Sequence, residues 1–267
     1  MFYIPFAYYY TVRLGTVPKL LSWVLLYLIP AAFYSAWTYC GSWTLWTANY
    51  LLVLLATFSL YEFGYIYNDT RAIRYEELPA IRLYRRNFLH YDRWHILILS
   101  VRVLYSVIAL SALYCLNAGN ERVWYVVAGI GLMCLFFDIY NRWRNRYNVW
   151  FYPLLVCSRY APFMLLYETG WLPYLLLFLS FPLVNALERF SMPRYRWPLM
   201  RRLIPDEQSK TRFRVVYYSL TLIFTATALY GSGLSLKGVI PIGILFVYRL
   251  ALLGWVRRHT PENYLNG

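Results

Sequence analysis

The feature that most restricts this chain recurs along its whole length: apolar runs of about twenty residues, separated by more polar gaps. A stretch of ~20 mostly apolar residues is what a helix needs to cross the hydrocarbon core of a bilayer. Eight such runs are read, at 18–38, 44–66, 95–117, 122–140, 149–168, 171–188, 213–231 and 236–256. A backbone in lipid must satisfy its own hydrogen bonds, and runs of this length do so as helices rather than barrel strands. The expected fold class is all-α: one polytopic membrane helix bundle of about eight (8–9) transmembrane helices, forming a single domain over residues 1–267. Composition agrees. The chain is 60% hydrophobic and only 14% charged, against roughly 45–50% and 25% in soluble domains. A surplus of that size is surface that meets lipid.

The net charge of +14 raises the question of nucleic acid, and its distribution answers it. Basic residues crowd into alternate gaps: Arg13 and Lys19; then Arg71, Arg74, Arg82, Arg85, Arg86 and Arg93; then Arg142, Arg144 and Arg146. The next cluster is Arg189, Arg194, Arg196, Arg201, Arg202, Lys210, Arg212 and Arg214, followed by Arg257 and Arg258. The intervening gaps hold only Arg122 and Lys237. This is the asymmetry of the positive-inside rule. It predicts cytoplasmic N- and C-termini, an even number of spans, and an integral protein of a bacterial inner membrane. No nucleic-acid partner is expected; part of the charge serves anionic lipid.

The first residues, MFYIPFAYYY, lack a basic leader and a cleavage site and read as an interfacial aromatic segment. Cys40, Cys115, Cys134 and Cys157 show no metal spacing, and buried reduced thiols are favoured over a Cys40–Cys115 bridge. The outer gaps are short, so neighbouring helices run antiparallel and the polar chemistry collects in the inner loops 67–94 and 189–214. The second and sixth runs both end in an amide and an acid, Asn68–Asp69 and Asn185 with Glu188, which suggests an internal repeat with its site at the repeat interface.

Carboxylates at the inner ends of apolar helices are costly unless paired or metal-bound, and Asp69 and Glu188 sit at such ends. Asp69 and Glu76, seven apart, share a helical stripe about 10.5 Å long at 1.5 Å per residue. They are too far apart to grip one ion, and suited to flanking a diphosphate with metal at either end. Asn185 and Glu188, three apart, face together. Such oxygens suit Mg²⁺ sharing its shell with phosphate, and the nearby arginines suit bidentate phosphate contacts. Glu62 lies seven before Asp69, on the same face, placed to pair with an intramembrane arginine. Of those, Arg102 and Arg249 lie near inner ends and snorkel, whereas Arg159, near Pro162 within the fifth run, is the functional candidate. The three histidines read as interfacial.

Asn68-Asp69-x-x-Ala72-x-x-x-Glu76, followed by Pro79, Arg82 and Arg85, resembles the first aspartate-rich motif of the UbiA superfamily of intramembrane prenyltransferases, whose pattern is N-D-x-x-D-x-x-x-D at the inner end of the second helix. The segment DIYNRWRNR (138–146) is similar to that family's tyrosine-and-basic loop, and Asn185 with Glu188 falls where its second acidic motif belongs. Ala72 stands in place of the central aspartate, which weakens metal binding and leaves phosphate charge to arginine. The resemblance implies transfer of a prenyl group from an isoprenoid phosphate or diphosphate to an acceptor, with Mg²⁺ as cofactor. It implies Asp69, Glu76 and Glu188 as catalytic residues and Asp69, Glu76, Asn185 and Glu188 as metal ligands. It implies Asn68, Arg71, Arg74, Arg82, Arg142, Arg146 and Asn185 around the substrate, to which the intramembrane position adds Arg159. Two alternatives share the scaffold: phosphoribosyl or glycosyl transfer onto a polyprenyl phosphate, and non-catalytic binding or transport of a lipid phosphate.

Overall fold

All eight apolar runs form helices, and what ends each helix is local chemistry. The computed structural model describes residues 1–37, 39–75, 81–143, 148–192, 195 and 197–259. It is 82% helical, with no strand among the described residues. The chain divides into two compact units, Met1–Gly170 and Trp171–Gly267.

The first unit opens with a π-helical segment, Tyr9–Leu14, closed by Gly15. Gly15 has φ 57° and sends its N–H back to the Tyr10 carbonyl, a left-handed closure that glycine adopts at no steric cost. Then come α1 (Val17–Ser35), α2 (Trp43–Thr70), a 3-10 turn (Ala72–Tyr75), α3 (Arg85–Leu116), α4 (Arg122–Arg142) and α5 (Asn148–Leu165). With 28 residues, α2 is about 42 Å long at 1.5 Å per residue. That exceeds the ~30 Å hydrocarbon thickness, so its last polar turn has length to spare for the interface. α2 packs along α3 and also meets α4 and α5. Gly64 makes the α4 approach close: a Cβ there would lie 2.8 Å from the Phe137 ring.

The second unit contains α6 (Leu172–Ser180), α7 (Pro182–Phe190), α8 (Pro198–Leu203), α9 (Glu207–Gly231), a 3-10 turn (Leu236–Val239) and α10 (Ile240–His259), with α9 packed on α10. The span read over 171–188 is therefore two nine-residue helices. Phe181, with φ −141° and ψ −50°, precedes Pro182, and a residue before proline is pushed out of the helical region. Proline also withdraws the N–H that a continuous helix would use.

Among the described residues, six helices are long and apolar enough to cross a membrane: Val17–Ser35, Trp43–Arg74, Arg85–Leu116, Arg122–Arg142, Ser209–Gly231 and Leu236–Gly254. Their outer faces keep large apolar residues exposed, such as Ile96, Leu104 and Ile108 on α3 and Leu220, Ile223 and Phe224 on α9. Apolar faces of this extent on several helices suit lipid rather than water. α5 is 18 residues long but carries Asn148, Arg159, Pro153 and Pro162, which lower its hydropathy.

The two long polar loops, 67–94 and 189–214, both contain helix. α3 begins at Arg85, ahead of the apolar run at 95, because Tyr91 is buried with Phe2, Tyr8, Ile66, Leu83 and Ile98, and Phe88 packs against that cluster. In 189–214, Asp206 caps α9, accepting the Ser209 N–H at 2.6 Å.

Candidate functional site

The C-terminal half of α2 carries two buried acids on one face, and the N-terminal segment lies across both. Glu62 and Arg102 form an ion pair with both side chains fully buried. Glu62 also accepts the backbone N–H groups of Phe6 at 2.7 Å and Tyr9 at 2.5 Å, while Arg102 Nε donates to the Phe2 carbonyl at 2.8 Å. A carboxylate buried in apolar surroundings persists only when its lone pairs are met in this way. The pair thus fixes residues 2–9 against α2 and α3.

One helical stripe further, Asp69 is 0% exposed and takes four donors. Tyr8 Oη donates to Oδ2 at 2.8 Å. Arg13 donates to Oδ1 at 2.5 Å, Arg82 to the same oxygen at 3.1 Å, and Asn68 Nδ2 at 3.4 Å. The Arg13 guanidinium also lies over the Tyr65 ring, 4.6 Å from its centroid. Burial and then the Asp69 charge push the Tyr8 phenol well above its ordinary range, so it stays protonated as a donor. Burial, the largest influence, pulls Arg13 down, but the Asp69 carboxylate together with Tyr65 and Tyr8 outweighs it, and the guanidinium is held above its usual value.

A chain of contacts runs from this clamp into the unit. Tyr65 and Tyr61 hydroxyls are 3.1 Å apart, and Arg159 reaches the Tyr61 hydroxyl at 3.4 Å. Arg159 is 6% exposed and sits among the rings of Tyr27, Tyr61 and Tyr160, with centroid distances of 4.4, 5.2 and 5.2 Å. No carboxylate pairs with it among the described residues, and its Nε has no hydrogen-bond partner. Aromatic faces supply what negative potential it meets.

The remaining expected residues separate. Arg74 is paired with Asp92 of α3 at 2.7 Å and donates from Nε to the Thr70 carbonyl, so it braces α2 against α3. Arg71 is half-buried, with Nε unpartnered. Arg142 pairs with Asp138 one turn back in α4 and is 72% exposed, the arrangement of a solvated face. Glu76 and Arg146 lie outside the described residues. In the second unit, Glu188 is buried and held by both Nε and a terminal nitrogen of Arg214, the latter at 2.5 Å. Asn185, on the same helix, is half-buried. Arg249 of α10 is buried and within electrostatic reach of Arg214, Glu188 and Tyr218. None of the four cysteines forms a disulfide with another.

Comparisons with protein-family profiles, with curated proteins and with solved structures each find no match.

Tyr8 and Arg13 were not singled out in the sequence. The segment reads as an interfacial belt, and Arg13 as one of many inner-side charges. The only hint was the unusual density of tyrosines ahead of a lone arginine.

Among the described residues, the donor set at Asp69 does not fit Mg²⁺. Magnesium requires near-octahedral oxygen ligands at 2.0–2.1 Å. Here both carboxylate oxygens already accept hydrogen bonds, and two guanidiniums stand where a cation would have to approach. Ala72, buried at the motif's central position, brings no further oxygen from a side chain. Glu188 is spent in the same manner on Arg214.

Proposed function

We propose that this chain is an integral-membrane, UbiA-like transferase of the cytoplasmic membrane, acting on an isoprenoid phosphate or diphosphate, with eight spans and both termini in the cytoplasm. The observation that carries this reading is the clamp at the inner end of α2: a buried carboxylate orienting Arg13 and Arg82 at the end of a membrane-length helix. Guanidiniums placed at that end of the helix suit a phosphate head whose apolar tail lies in lipid.

In prenyl transfer, the bond between the allylic carbon and the phosphate oxygen breaks, and its electron pair leaves on the diphosphate. The acceptor's nucleophilic atom forms the new bond to that carbon and releases its proton to solvent. Arginines fixed before the reaction stabilise the charge that develops on the leaving group. The Tyr27, Tyr61 and Tyr160 rings around Arg159 supply a dry, electron-rich wall in the same unit.

The test is incubation of the purified full chain with labelled isoprenyl diphosphates and a membrane-lipid extract as the acceptor source. Label is expected to move into a new extractable product with release of diphosphate, and Arg82→Gln is expected to reduce the rate by at least about tenfold. A parallel arm supplies phosphoribosyl diphosphate with a polyprenyl phosphate. A second reading, a non-catalytic lipid-phosphate binder, has its own support: Glu62, Asp69 and Glu188 are each committed to arginine, leaving none of them to act as a base. Tight binding of an isoprenoid phosphate without turnover in either arm would select it.

A further inference from the structure

We propose that Arg159 forms an oxyanion-binding site inside the first unit, taking the carboxylate or phosphate group of a ligand at a place apart from the clamp at Asp69. Tyr61, which Arg159 touches, lies eight positions before Asp69 on α2, about 12 Å along the helix axis. The inference goes beyond the transferase reading above and does not depend on it.

Three observations carry it. The first is an unmet charge. Among the described residues of this unit, the other buried charged side chains are paired: Glu62 with Arg102, and Asp69 with Arg13 and Arg82. Asp92, Asp138 and Glu168 pair with Arg74, Arg142 and Arg122. Arg159 is 6% exposed and meets no carboxylate among them. A guanidinium carries five N–H donors. Those of Arg159 reach the Tyr61 hydroxyl at 3.4 Å and the Tyr160 hydroxyl at 3.5 Å, and Nε reaches no acceptor. Both contacts exceed the ordinary range of roughly 2.7–3.2 Å. The second observation is how the tyrosines are used. Their hydroxyls donate to backbone: Tyr27 to the Arg159 carbonyl at 3.1 Å, and Tyr160 to the Leu26 carbonyl at 2.7 Å. The rings of Tyr27, Tyr61 and Tyr160 face the guanidinium. Ring faces attract the cation but leave its in-plane N–H groups unserved. What is left open is the planar fork that matches a carboxylate or phosphate. The third is irregular backbone on both sides. α1 is π-helical over Val24–Leu28, and such segments recur at functional sites. In α5, Pro162 withdraws the N–H that would bond the Ser158 carbonyl, next to Arg159. The two interruptions meet, with the Tyr27 and Tyr160 rings 4.8 Å apart. A buried cation without a counter-charge is costly, and an oxyanion supplies what is missing.

The experiment titrates acetate, inorganic phosphate, laurate and dodecyl phosphate against the full chain in nanodiscs of zwitterionic lipid. One readout is the ligand-dependent rise in unfolding temperature, which yields Kd. The other is the Nε–H resonance of Arg159 in arginine-labelled protein, assigned by its loss in Arg159→Lys. At least one carboxylate or phosphate is expected to shift that resonance saturably. Arg159→Gln is expected to raise its Kd by about tenfold or more, and Arg159→Lys, which keeps the charge and loses the fork, falls between. Arg13→Gln is expected to leave Kd within about twofold, as a separate site should. Saturation by the short anions supports the site and places the ligand's source in water; saturation by the alkyl anions alone supports it and places the source in lipid. No saturable shift with any of the four overturns the proposal, and the wild-type resonance gives that answer even if Arg159→Gln fails to fold. A Kd unchanged by Arg159→Gln overturns it as well. Affinity lost in Arg13→Gln and kept in Arg159→Gln puts the anion at the inner end of α2, which overturns this site and leaves the isoprenoid-phosphate reading standing.

Discussion

Glu62 receives Arg102 and two backbone N–H groups while fully buried. Replacing it by Gln leaves the Arg102 charge unpaired in an apolar setting. The expected loss is about 3–5 kcal/mol of stability, checked by denaturant unfolding in micelles, and replacing both partners with apolar residues of similar volume should recover much of it. Tyr8 offers a pH test. Its folded pKa is raised by burial and by Asp69, so the fold favours the protonated phenol. The stability it contributes is complete below the unfolded value near 10 and is lost as pH climbs beyond it. Thermal unfolding between neutral pH and pH ~11 should show a decline above pH ~10 that is shallower in Tyr8→Phe. Asp69 was marked by its position at the end of an apolar helix. Its partner Tyr8 was not, because a tyrosine near a membrane interface has an ordinary explanation.

Among the elements, α2 decides most, because it carries Glu62, Gly64, Tyr65 and Asp69 within two turns. Gly64 lets α4 come close, and its missing side chain is filled by the Phe137 ring. Gly64→Val is expected to cost about 1–3 kcal/mol through overpacking, seen as a lower unfolding temperature; Phe137→Leu in the same chain should restore part of it. The helical character of α2 was legible from its apolar run, and so was the acid at its inner end. The early start of α3 was not: Arg85–Trp94 is polar on average, and only burial of Phe88 and Tyr91 against the N-terminal aromatics makes it helix. The break at Phe181 could have been read from Pro182, but mean hydropathy over 171–188 overrode that local signal.

At the scale of the molecule, the cysteines supply a topology test without substitution. Cys40 and Cys115 are exposed, and Cys134 and Cys157 are half-buried. With cytoplasmic termini, Cys40 and Cys115 face outward. A maleimide that cannot cross membranes should therefore label both in intact cells and neither in sealed inside-out vesicles; the reverse pattern inverts the proposed orientation. What the sequence alone determined is the all-helical membrane architecture and the segregation of charge. Helix length against bilayer thickness, and lysine and arginine between apolar runs, are local properties that can be read residue by residue along the chain. What only the tertiary structure decided is which charge meets which. Asp69 is joined to Arg13 across 56 positions, Glu62 to Arg102 across 40, and Glu188 to Arg214 across 26. No spacing in the chain encodes those partners. They follow from where packing brings separate segments together, and burial then makes leaving a charge unpaired too costly.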